Sequence, residues 1–180
     1  MSATAVYCTL TGHILAAIDR AGKQAGPVPV DRLVGPALPV RRRTESGDTG
    51  PIEVAVPVDQ LGTAAVDSVP NLLTNPFQYA VGSGRTPTTL SPWGTDASPT
   101  VLTTTSVTVT LERTSRGAAT PVVVVLAGPD GVVTLNGQVF SGRKAVTIGV
   151  GLRLGQSHAV LTLAAGWQAR ADVLPVRAPA

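Results

Sequence analysis

The side chains that could do chemistry in this 180-residue chain are few. There are two histidines, His13 and His158, and one cysteine, Cys8. The histidines are far apart, and neither has a metal-ligating residue at i+2 or i+4. With one cysteine and no His/Cys cluster, a structural zinc site is excluded and no metal is expected. Cys8 has no basic neighbour or helix N-terminus to lower its pKa, so it is expected to be an inert, buried thiol. The eleven acidic residues fall mostly in expected turns: Asp19, Asp48, Asp59, Asp67, Asp96 and Asp130. Turn aspartates bond to their own backbone. A glycosidase needs two carboxylates converging on a cleft, and no spacing here brings two together. GxSxG, GxxxxGK[ST] and HExxH are all absent. "GSGR" at Gly82 to Arg85 opens no helix that could hold a phosphate. The expectation is a protein that is not an enzyme: no catalytic, cofactor-binding or metal-binding residues, and no cofactor.

The elements that would position any site read as strands. Apolar residues make up 43% of the chain and aromatics 3%, so Val, Leu, Ile and Ala must fill the core. Glycine (19) and proline (15) are spread throughout, which fits short strands joined by turns. From Val6 to Ile18 the apolar residues keep mostly to even positions, which predicts one half-buried strand with Cys8 inward and His13 on the surface. A helix over Ile14 to Ile18 is the alternative. "GPVPV" and "LVGPALPV" predict edge strands or extended segments. "RRRTESGDTG" predicts a solvated loop, in which Arg41, Arg42 and Arg43 sit beside Glu45 and Asp48. "PIEVAVPV" alternates, with Ile52, Val54, Val56 and Val58 on one side. "DQLGTAAVDSVPNLLTNPF" has room for one helical turn, and "FQYAV" returns to strand.

Composition shifts at Gly82 to Thr100, rich in Gly, Ser, Thr and Pro, where Trp93 is expected to pin the segment to a neighbouring surface. Beyond it, "VLTTTSVTVTLER" alternates, with Val101, Val107, Val109 and Leu111 facing one way. "PVVVVLA" predicts a strand buried on both faces. "GPDG" and "LNGQ" predict turns, the second a tight hairpin. "KAVTIGVGLRL", "HAVLTLAA" and "WQARADVLPV" complete six or seven short strands, hence a sandwich or small barrel. The fold class expected is all-β: two small antiparallel β-sandwich or barrel domains in tandem, 1–82 and 101–180, joined by a linker at 83–100.

Partner classes follow from what is scarce. The net charge is +3, with 12 arginines and 2 lysines, but only residues 41–43 form a basic run, so no nucleic-acid partner is expected. The six aromatics are Tyr7, Phe77, Tyr79, Trp93, Phe140 and Trp167. Some must serve the core, which argues against an open platform for sugars and against stacking on single strands. The longest apolar run, Val122 to Ala127, is too short to span a bilayer, and the N-terminus shows no basic n-region or apolar h-region. A soluble protein made in the cytosol, with no membrane partner, is the expectation.

"LTGHILAAIDRAGKQAGPVPV" resembles the opening of the small prealbumin-like or Ig-like β-sandwich modules in tail and other virion proteins of actinobacterial phages. In these a strand ending in T-G runs into a D-x-x-G-x-x-x-G turn, matched here by Asp19, Gly22 and Gly26. "GPIEVAVPVDQLG" and "NPFQYAV" resemble the later part of such modules. The resemblance covers residues 5 to 82. "RLVGPALPVRRR" departs from it in carrying more proline, which puts the middle strands in doubt. It implies a virion structural protein, a minor tail or capsid decoration component, acting through contacts with other virion proteins or copies of itself. The N-terminal module, or the loops around Pro27 to Thr49, would then anchor to the particle. A carbohydrate-binding or adhesion module that recognises a host-surface glycan is the alternative.

Overall fold

The computed structural model describes residues 2–19, 28–43, 51–95 and 97–179. The chain is all-β, as expected. Strand β1 (Ser2–Cys8) is the centre of a three-stranded antiparallel sheet, between β2 (Ile14–Asp19) and β5 (Leu61–Asp67). The even-position run from Val6 is therefore two strands. The chain reverses at Thr9 to Gly12, where the Gly12 amide donates to the Cys8 carbonyl (2.8 Å) and Gly12 takes φ +77°. The expected turn around Gly22 and Gly26 lies outside the described residues. The helix alternative over Ile14 to Ile18 is replaced by strand.

Of the first proline-rich stretch, Val28 and Pro29 run extended into a short helix, α1 (Val30–Val34). Next come β3 (Ala37–Arg42) and β4 (Ile52–Pro57), an antiparallel pair in which Ile52, Val54 and Val56 are buried as expected. Arg41 and Arg42 belong to β3 rather than to a loop, and residues 44–50, with Glu45 and Asp48, lie outside the described residues. The stretch expected to hold one helical turn forms β5 and short 3-10 turns at Val58–Gln60 and Pro76–Gln78. A two-residue pair follows, β6 (Tyr79–Ala80) with β7 (Thr88–Thr89).

The C-terminal half is one seven-stranded sheet curled nearly into a barrel. Its strands are β8 (Thr100–Thr103), β9 (Ser106–Thr110), β10 (Thr120–Gly128), β11 (Gly131–Val139), β12 (Ala145–Gly149), β13 (Ser157–Ala164) and β14 (Arg170–Arg177). They run in the order β11-β10-β13-β14-β8-β9-β12, and β11 and β12 meet at the two ends of the sheet. Neighbours are antiparallel except β14 and β8, which pair in parallel over only Val176–Leu102 and Arg177–Thr103. Two local expectations change. The chain turns between β8 and β9, so Leu102 is buried while Val101 is 45% exposed, out of step with Val107, Val109 and Leu111. Asn136-Gly137 lies inside β11, not at a hairpin turn. Gly137 is there because β12 crosses close by: a Cβ would stand 2.8 Å from Ile148 Cδ1.

β10 shows why "VVVV" is uninterrupted. Val122, Val124 and Leu126 fill the barrel with Leu102, Val107, Val160 and Val176. Val123 and Val125 point outward, into a second cluster with Val54 and Val56 of β4, Val6 and Cys8 of β1, and Leu161 and Leu163 of β13. That second cluster takes residues from both sides of the 83–100 segment. The segment itself is packed, with Leu90 and Thr100 buried and Ser91 bridged to Trp167.

Candidate functional site

The polar and aromatic groups converge where the N-terminal strands meet the barrel, around the turn that joins β13 to β14. Gly166, Trp167 and Gln168 form that turn. Ser91 bonds across it, its amide donating to the Gly166 carbonyl (3.0 Å) and its carbonyl accepting from Gln168 (2.8 Å). This places Trp93 over Trp167, with ring centroids 4.9 Å apart and planes at 21°. Trp93 Nε1 donates to the Gln168 carbonyl (2.8 Å). The segment is thus pinned by Trp93, as expected, and its anchor is the second tryptophan.

His13 enters from the β1–β2 turn and is fully buried, not on the surface. The turn at Thr9 to Gly12 resets the alternation, and His13 instead bridges Ala80. Its Nε2 lies 2.7 Å from the Trp167 carbonyl and its Nδ1 2.9 Å from Thr11 Oγ1. A carbonyl can only accept, so Nε2 carries the proton and the Thr11 hydroxyl donates to Nδ1. Burial holds the His13 pKa down, to about 4; the Trp167 carbonyl opposes this and the Arg42 charge adds to it. With both nitrogens engaged and the ring neutral, His13 ties two parts of the chain together.

Below the tryptophans lies a buried ion pair that sequence reading missed. Arg170 and Asp172 are 3% and 4% exposed, with Arg170 Nε 3.1 Å from Asp172 Oδ2. Arg170 also donates to the Thr95 carbonyl (2.8 Å), and Ser98 Oγ donates to Asp172 (2.8 Å). Thr100 and Thr162 share a buried hydroxyl contact of 2.7 Å. At the edge of this network a recess of about 110 Å³ opens between Arg42, Trp93, Thr95, Gln168 and Arg170. It offers guanidinium, indole and carbonyl surface. A second groove of about 300 Å³ lies where β14 and β8 splay apart, floored by Leu102 and Leu174 and edged by Val101, Pro175 and Arg177.

The other sequence candidates stay apart. Cys8 is fully buried in the shared cluster. His158 is buried at the opposite end of the barrel, and among the described residues neither of its ring nitrogens has a hydrogen-bond partner. Asp67 pairs with Arg85 and Asp130 with Arg153, both on the surface. Asp19 ends β2, and Asp59 lies in a 3-10 turn; Asp48 and Asp96 fall outside the described residues. Among the described residues, no three His, Cys, Asp or Glu side chains are grouped to hold a metal. Of the aromatics, Phe77 lies under the Arg42 guanidinium at 5.1 Å, Tyr79 donates to the Pro70 carbonyl, and Phe140 is 62% exposed. Among the described residues, no helix is long and apolar enough to cross a membrane. No family model, curated protein or solved structure matches the chain.

Proposed function

We propose that the chain is a structural protein that works through contacts with other proteins, as a minor tail or capsid decoration component of a phage or phage-like particle. The observation that carries the reading is a group of exposed apolar side chains at one end of the barrel. Val132 and Val133 are 46% and 42% exposed and Leu154 65%. The Arg153–Asp130 ion pair, at 3.6 Å, links the β10–β11 turn to the turn that carries Leu154. Val132 and Val133 project from opposite faces of β11, so Val132 on the outer face and Leu154 in the neighbouring turn are the exposed apolar groups that favour association with another protein surface. The commitment of His13, Cys8, Arg170 and Asp172 to internal packing supports a contact role over a catalytic one. The glycan-binding alternative draws less support, since Trp93 and Trp167 are stacked on each other.

Co-sedimentation of the purified protein with assembled particles tests the proposal. Wild-type protein is expected to pellet with particles, and Val132→Asp with Leu154→Asp to remain in the supernatant while folded. Wild-type protein that stays free in the presence of particles would overturn the reading. Quenching of tryptophan fluorescence by glycans would favour the alternative.

A further inference from the structure

We propose that the His13–Trp167 hydrogen bond is an acid-sensitive latch that holds the β1–β2 turn to the barrel. The bond spans 154 positions of sequence, from the β1–β2 turn to the β13–β14 turn, at a site with no solvent exposure. The chain on either side is fastened in the same place. Val81 donates to the Gly12 carbonyl (2.9 Å), Cys8 to the His13 carbonyl (2.8 Å), and Ala169 to the Phe77 carbonyl (3.3 Å).

Protonation sets the ring against its surroundings. In the closed state Nδ1 accepts from Thr11. An imidazolium would donate from both nitrogens, so the Thr11 hydroxyl would have to reverse, and the charge would sit buried from solvent. Among the described residues, no carboxylate offsets this at the ring. β3 brings Arg42, whose positive field reaches His13. β6 brings Tyr79, already donating to Pro70, and the β13–β14 turn leads into Arg170, whose charge is paired with Asp172. On β2 the carboxylate is Asp19, at the far end of the strand.

The sign follows from the two ring states. The opened state takes up a proton near the ordinary 6.5, the closed state only at about 4. Closure is therefore fully favoured above pH 6.5 and weakens as pH falls towards 4, with no further loss below. Over that interval the opening constant rises by up to roughly 300-fold. What is released is the β1–β2 turn and the Ala80–Val81 segment bonded to it, exposing the tryptophan pair to water.

The chain's two tryptophans both stand at this joint, so emission reports it directly. Wild-type protein, titrated from pH 7.5 to 4, is expected to show a red shift of emission and loss of amide-exchange protection at Val81. Far-UV circular dichroism should hold steady. His13→Gln keeps a neutral donor and is expected to flatten this response; His158→Gln is expected to retain it. An unchanged response in His13→Gln would overturn the latch. Should that variant fail to fold, ring-proton NMR of the wild type decides. A His13 resonance titrating near 4 in step with opening supports the latch, and one titrating near 6.5 with Val81 still protected overturns it.

Discussion

A methyl group on Gly128 would fall inside the imidazole of His158, which lies across the backbone at the end of β10. The ring is 5% exposed and cannot swing into water without opening the barrel end. Gly128→Ala is therefore expected to lower stability by about 1–3 kcal/mol through overpacking. Removing the ring should relieve most of that loss, so Gly128→Ala and His158→Ala should couple in a double-mutant cycle read by urea denaturation. Additive effects would show that the two do not meet. Residues of this kind divide sharply in how legible they are. Cys8 could be read, because a small apolar group on the inward face of a strand needs only the strand's phase. His13 could not, because "TLTG" carries one glycine and no proline or Asn-Gly, so the even-position pattern runs unbroken through a turn.

At the scale of the element, β14 shows what a strand pattern conceals. "RADVLPV" was legible as a strand, but Arg170 and Asp172, two residues apart, occupy its inward face. Alternating charge on one face ordinarily marks the solvent side. Here the two charges neutralise each other and strap Thr95 and Ser98 to the barrel. Asp172→Ala removes the carboxylate that accepts from both Arg170 and Ser98. It is expected to cost about 3–5 kcal/mol, because a buried guanidinium loses its carboxylate counter-charge. A midpoint shift of that size in urea, with faster amide exchange at Thr100, would bear this out. A shift below roughly 1 kcal/mol would place the pair with ordinary surface ion pairs. The turn between β8 and β9 escaped notice for a related reason. "TTTS" closes through side chains, with Thr103 Oγ1 accepting from the Ser106 amide at 3.0 Å, and those contacts leave no glycine or proline in the sequence.

For the whole molecule, the decisive feature is that β10 is packed on both faces. The run Val122 to Leu126 announced two-sided burial, but not what would cover the outer face. The cover is β4, whose Val54 and Val56 lie against Val123, Val125, Leu161 and Leu163, with Cys8 and Leu15 completing the layer. Sequence reading placed β4 and β10 on opposite sides of a linker, since nothing in an alternating pattern says which face will meet which. Each half therefore covers apolar surface that the other would expose. A cluster drawn from both halves cannot be lost from one of them alone, so unfolding should be a single cooperative event. Urea denaturation at pH 7.5 is expected to give coincident transitions by tryptophan emission, which reports the joint, and by circular dichroism, which reports all strands. Val125→Ala should shift both midpoints together, lowering stability by about 1–3 kcal/mol for the apolar surface lost. Two separated transitions, only one of them moved by Val125→Ala, would show the halves to be independent units and the shared layer to be weak.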